Sequence, residues 1–292
     1  MERLKNFCNI VFPVKFYIFF SIAWYFGMET FFALVTGAKI FFTIGDILSI
    51  SICFLVLFFI RVIDEIKDYE FDIKNNPERP LVKGIVSRGD IILYGVITAS
   101  LIVTLNYFND NSLLPLTMIA HVLLLFIIDK AANNVSVNSF FQLAISFPAS
   151  LQIYVYYLFN FLNKYGMNYS NDYIMLVIPF VLSFLSLEIL RKTRWENIKD
   201  GLYSNDIGPV KSHLLGTTLG VIGIIVFYIK TLPISGGWSY ILCLPALFLL
   251  ANSIRFFILK NEKVSIRILP LLFLIGVYVM NIVLYGISDG NL

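Results

Sequence analysis

Nine apolar blocks follow one another along this chain, each about as long as a bilayer is thick, and they leave room for little else. They fall near residues 14–36, 40–61, 90–108, 113–130, 136–162, 173–192, 213–230, 238–259 and 265–287. A helix needs ~20 mostly apolar residues to cross a membrane, because backbone polar groups in hydrocarbon must be paired within the segment. Transmembrane strands would be about 9–11 residues long and alternate in polarity. Runs such as 91–107 and 173–190 are too long and too evenly apolar for that. Charged residues make up 14% of the chain, where a soluble domain carries roughly 25%. The loops are short. The expectation is one all-α, polytopic membrane domain over residues 1–292, with nine transmembrane helices.

The first residues lack the ordered basic, apolar and small-residue regions of a signal peptide, so the first block is expected to be a retained helix. Cys8, Cys53 and Cys243 stand far apart, which excludes a disulfide framework and a CxxC metal site. With only His121 and His213 present, a histidine-based metal centre is not expected either.

Orientation follows from the basic residues, which favour cytoplasmic loops. With the N-terminus in the cytoplasm, only Lys39, Lys164 and Lys230 of the 22 Lys and Arg residues fall on the outer side. The expected location is therefore an integral membrane protein, of the bacterial cytoplasmic (inner) membrane, with its charged loops inside. No nucleic-acid partner is expected.

Two of those loops carry acidic residues among the basic ones. In the first, Asp64, Asp68 and Asp72 recur every four residues, with Glu65 and Lys67 between them. On a helix this spacing puts the three aspartates on one face, where like charges repel by a few tenths of a kcal/mol per pair. A divalent cation would neutralise them, and hard carboxylate oxygens suit Mg²⁺. A solvated helix end with alternating charge would look the same. The second loop follows the sixth block and holds Glu188, Arg191, Lys192, Arg194, Glu196, Lys199 and Asp200. Glu188, Lys192, Glu196 and Asp200 share a helical face. Acidic residues alone would suggest a cation site, and basic ones alone an anionic lipid. Their mixture on one side of the membrane suits a polyanion held through metal bridges and direct Lys/Arg contacts. Diphosphate is the natural candidate, because a membrane enzyme can take an attached hydrocarbon chain from the bilayer.

These segments resemble the UbiA superfamily of intramembrane prenyltransferases. That family has an Asn-Asp-x-x-Asp-x-x-x-Asp run followed by Arg-Pro-Leu. The chain has Asp64-Glu65-Ile66-Lys67-Asp68-Tyr69-Glu70-Phe71-Asp72 and then Arg79-Pro80-Leu81. Asp64 stands for the usual Asn and Glu65 for the usual Asp. The family's second acidic pair is matched by Glu196 and Asp200, with Asp206 as an alternative to Asp200. Its aromatic–lysine pair at the end of the fourth helix is matched by Phe126 and Lys130.

The resemblance implies a nine-helix bundle around a central cavity and Mg²⁺-dependent transfer of a prenyl group. The donor would be an isoprenyl diphosphate, and the acceptor hydrophobic or aromatic. Asp64, Asp68 and Asp72 would hold one metal with Glu65 as a helper, and Glu196 and Asp200 the other. Lys67, Arg79, Lys130, Arg191, Lys192 and Arg194 would contact the diphosphate. Asp68, Asp72 and Lys130 would be the residues on which catalysis most depends. Asn134, Asn138 and Gln142 could orient the acceptor. A terpene cyclase of the same family would share the ionisation and dispense with the acceptor. A transporter should instead carry charge near the bilayer midplane at broken helices, and a CDP-alcohol phosphotransferase needs an Asp-Gly-x-x-Ala-Arg segment that is absent before Asp64 and Glu196.

Polar residues inside spans ask for a role. Glu29 and Asp46, toward the outer half, could contact the acceptor, act as a base or sit at the interface. Asn252 and Asn281 are expected to bond between helices. Tyr154, Tyr156, Tyr157 and Phe161 are expected to pack or face lipid. Pro148, Pro179, Pro245 and Pro270 read as kinks.

Overall fold

Helix follows helix through the computed structural model, which describes residues 2–108, 139–195, 202–260 and 268–289. No strand occurs among the described residues. Six segments there are long and apolar enough to cross a membrane: Val14–Thr36, Ile44–Lys67, Arg88–Tyr107, Asn171–Arg191, Pro209–Ile258 and Ile268–Ser288. Pro209–Ile258 takes in two of the expected blocks. As one helix its 50 residues would run about 75 Å, far beyond the ~30 Å hydrocarbon core. It is interrupted at Gly236, whose φ of 54° lies in the left-handed region, where a side chain would be strained. The expected block at 113–130 lies outside the described residues. A further helix, Ser139–Lys164, covers the block expected at 136–162. The chain is thus a polytopic integral membrane protein, all-helical among the described residues.

The chain divides into two compact units. The first comprises Met1–Tyr25 and Phe42–Ser136. Its elements are α1 (Glu2–Val11), the first half of α2 (Val14–Thr36), α3 (Ile44–Lys67), the short α4 (Tyr69–Asn75) and α5 (Arg88–Tyr107). Pro13 separates α1 from the first span. α1 buries Phe7 in a cluster with Val62, Leu81, Val86 and Ile91, and Arg3 pairs with Asp90 at 2.9 Å. Phe12 stacks on Tyr17 at 3.8 Å, and Arg61 donates from Nε to the Tyr17 hydroxyl at 3.2 Å.

α3 starts later and ends later than its apolar block suggested. Its start is fixed by Asp46, whose carboxylate accepts from the Thr43 N–H at 2.5 Å and the Thr43 hydroxyl at 3.1 Å. This is how an acidic residue in the first turn satisfies the helix's open donors. Tyr25 also donates its hydroxyl to Asp46, so this buried carboxylate serves as a helix cap. At its other end α3 continues through Asp64 to Lys67.

The second unit comprises Phe26–Phe41 and Val137–Leu292. It holds the rest of α2, then α6 (Ser139–Lys164), α7 (Asn171–Ile174), α8 (Ile178–Arg191), α9 (Tyr203–Ile207) and α10 (Pro209–Ser235). A 3₁₀ segment (Gly236–Cys243), α11 (Ala246–Ile254), a π turn (Arg255–Leu259) and α12 (Ile268–Asp289) complete it. Phe31, Phe180 and Phe227 meet edge to face at 4.7–5.4 Å. Tyr154, Tyr156, Tyr157 and Phe161 are all buried within the protein, so they pack. Gly216, Gly220 and Gly223 of α10 lie against Leu190, Ser186 and Ser183 of α8, as small residues do where membrane helices approach closely.

Pro179 and Pro245 stand at helix starts, where proline's missing N–H breaks no bond, and so begin helices where kinks were expected. The amides expected to bridge helices bond locally: Asn281 donates to the Val277 carbonyl at 2.8 Å, and Asn252 accepts from Arg255 at 2.9 Å.

Candidate functional site

α3 and α4 carry the first acidic cluster. The backbone passes from one to the other at Asp68 (φ −89°, ψ 8°), in the sparsely occupied bridge region where active-site residues often sit. Hydrogen bonds nevertheless climb through all three aspartates. The Asp68 N–H donates to the Asp64 carbonyl at 2.8 Å and the Asp72 N–H to the Asp68 carbonyl at 2.8 Å.

The four carboxylates divide into two pairs. Asp64 and Asp68 are partly exposed, at 28% and 39% of their side chains. Each has a loose cationic neighbour at 3.5 Å, Arg61 for Asp64 and Lys67 for Asp68. Glu65 and Asp72 point inward, 1% and 4% exposed. Arg79 reaches both, at 2.7 Å to Glu65 and 3.5 Å to Asp72. Asn76 completes this arrangement, donating from its side-chain amide to Asp72 at 2.6 Å. Asn76 belongs to no motif, and the only sequence signal for it is its place one helical turn after Asp72, within reach of that carboxylate.

Burial among its surroundings pushes the Asp68 carboxyl up to about 6, despite its 39% side-chain exposure. The charges of Asp64 and Asp72 add to this, and Lys67 opposes it. Such a group binds a proton weakly near neutral pH and would exchange it readily for a divalent cation.

Mg²⁺ takes one or two carboxylates and completes its shell with water and substrate phosphates. Asp64 and Asp68 fit that demand, as hard oxygen donors one turn apart at a partly exposed helix end. Among the described residues no three His, Cys, Asp or Glu side chains gather to hold a metal by themselves. A site of this kind would therefore be completed by its ligand.

The second cluster begins at the end of α8. Glu188 accepts from Arg191 Nε at 2.6 Å and pairs with Lys192 at 2.9 Å. Lys192 also lies 5.9 Å from the centre of the buried Tyr203 ring, whose phenol is pushed above its usual range by burial and by the Glu188 charge. The Arg194 N–H donates to the Ser204 hydroxyl at 3.1 Å. Trp195 donates its indole N–H to the Phe256 carbonyl and stacks on that ring at 5.0 Å. Asp206 accepts from the Ser139 N–H at 2.7 Å, which fixes the start of α6.

Glu196, Asp200, Lys130, Asn134 and Asn138 lie outside the described residues, and Gln142 lies on α6 with its side chain undescribed. Glu29 is buried against Lys164 at 2.5 Å and accepts from the Tyr165 hydroxyl at 3.2 Å. This ion pair satisfies a charge that lies within a span, as burial requires.

No family model matches the chain, and no curated protein sequence matches it. A solved structure does: that of digeranylgeranylglyceryl phosphate synthase in membranes, 20% identical, with all of both chains covered and a TM-score of 0.60. The two share one fold. The likeness is one of helical fold along the whole of both chains.

Proposed function

We propose that this protein transfers a prenyl group from an isoprenyl diphosphate to a hydrophobic or aromatic acceptor within the membrane, with Mg²⁺ as its cofactor. The observation that carries the reading is the partly exposed Asp64–Asp68 pair, in a cluster whose other two carboxylates hold Arg79, on a fold shared with digeranylgeranylglyceryl phosphate synthase.

In this reading Asp64 and Asp68 hold Mg²⁺. A bound Mg²⁺ supplies Lewis-acid stabilisation to the diphosphate as it becomes a leaving group. Lys67 and Arg79 in the first cluster, Arg191, Lys192 and Arg194 in the second, and Lys130 at the end of the fourth expected helix bind and orient diphosphate oxygens by charge-assisted hydrogen bonds. Glu188 holds Arg191 and Lys192 in place for that task. Glu196 and Asp200 are proposed as the second carboxylate pair, and Asn134, Asn138 and Gln142 as acceptor contacts. The finer architecture belongs to the same proposal: nine spans around a central cavity, in a bacterial cytoplasmic membrane, with both clusters on the cytoplasmic side.

Cyclisation of the donor without an acceptor would use the same ionisation, and the departures at Asp64 and Glu65 keep it as a second reading. Purified protein in lipid nanodiscs, given Mg²⁺ and a panel of prenyl diphosphates with and without aromatic acids, decides between them by product mass. Prenylated acceptor is the expected product. A cyclic hydrocarbon or alcohol formed without acceptor would replace transfer with cyclisation.

A further inference from the structure

Glu65 and Asp72 are treated alike by the sequence pattern as metal-binding carboxylates, yet neither side chain is placed for that. Both are almost fully enclosed and both turn to one guanidinium. Where the resembling family has Asp, this chain has Glu65, longer by one methylene. An aspartate from the same Cα would stop about 1.5 Å short of the 2.7 Å contact with Arg79.

The loop is built around the same contact. The Arg79 N–H donates to the Asn76 carbonyl at 3.1 Å, the Lys83 N–H to the Arg79 carbonyl at 2.9 Å, and the Ile85 N–H to the Pro80 carbonyl at 2.9 Å. Leu81 then enters the core with Phe7 and Val62. Moving either carboxylate outward to a metal would separate an enclosed ion pair, which is strongly destabilising. The Arg79 side chain itself is 26% exposed. A planar guanidinium fixed on one side by carboxylates presents its remaining donors in a set direction, which suits phosphate oxygens.

We propose that Glu65 and Asp72 are positioning residues that lock Arg79 to face the diphosphate, and that metal binding in this cluster falls to Asp64 and Asp68 alone. The diphosphate as Arg79's target rests on the function proposed above; the lock does not.

The test compares Glu65→Gln, Glu65→Asp, Arg79→Gln and Asp68→Asn in the full-length protein. Mn²⁺ affinity is measured by electron paramagnetic resonance, and affinity for inorganic diphosphate by calorimetry. The expected result is unchanged Mn²⁺ affinity in both Glu65 variants, alongside a diphosphate affinity lowered about tenfold, as for loss of a charge-assisted bond. In turnover, KM for the donor rises while kcat stays within about twofold, the signature of lost uniform binding. The double variant Glu65→Gln/Arg79→Gln should bind diphosphate as Arg79→Gln does. Asp68→Asn loses Mn²⁺ affinity. Among the variants, two results overturn the proposal: Mn²⁺ affinity falling in the Glu65 variants as in Asp68→Asn, or diphosphate affinity unchanged in both. Should the Gln variant fail to fold, Glu65→Asp, which keeps the charge and shortens the reach, decides the matter by the same two affinities. Wild-type protein that binds diphosphate but turns over no prenyl donor would sink the function and leave the lock standing. Wild-type protein that binds no diphosphate would overturn both.

Discussion

Neighbouring residues of one motif take opposite roles because each helical residue turns the side chain by 100°. Asp64 and Glu65 are adjacent in sequence, yet one reaches the surface and the other is enclosed with Arg79. The four-residue spacing made the Asp64–Asp68 pair legible from sequence. It did not reveal that Asp72 leaves their shared face, because the backbone changes course at Asp68. At this scale Asp68 carries a pH dependence of its own. Its carboxyl keeps a proton up to about pH 6, whereas an unfolded aspartate releases it near 3.8. Its contribution to folding is therefore full below about pH 3.8 and is lost as pH rises through 6. Metal binding has the opposite sign, because only the ionised form is a ligand. Mn²⁺ affinity should rise between pH 5 and 7 in the wild type, and this rise should flatten in Asp68→Asn, as titration calorimetry at several pH values will show.

Helix ends were harder to read than helix middles. The apolar block at 40–61 suggested an earlier start and an earlier end than Ile44–Lys67, because the cap made by Thr43 and Asp46 overrides hydropathy at one end. At the other end, the charged residues through Lys67 extend the helix beyond its apolar part. The tie between Asp206 and Ser139 links residues 67 positions apart, which no local pattern encodes. Three substitutions test the packing of elements. A Cβ added at Gly27 would lie 2.6 Å from the Tyr278 Cβ. Gly27→Ala should therefore destabilise by about 1–3 kcal/mol through overpacking, whereas Gly286→Ala, with nothing within 4 Å, should be neutral or mildly stabilising. Phe7→Ala should cost about 3–5 kcal/mol by emptying the cluster that docks α1. Thermal unfolding in detergent measures all three.

At the scale of the whole molecule, the run of apolar blocks and the skewed distribution of Lys and Arg carried the most information. Together they pointed to an all-helical membrane protein before any contact was known. The proposed orientation has its own test: in a cysteine-free background, Gly237→Cys should react with an impermeant maleimide only from outside, and Lys83→Cys only from the cytoplasmic side. The central claim is that Asp64 and Asp68 serve the ionisation of a prenyl diphosphate. Its most direct measurement is Mg²⁺-dependent diphosphate release from prenyl donors by the wild type and by Asp68→Asn, in nanodiscs with an aromatic acceptor present. Release by the wild type, reduced at least about 100-fold in the variant as when a transition-state charge contact is removed, is the predicted result. No release from any donor, or undiminished release by Asp68→Asn, would contradict it.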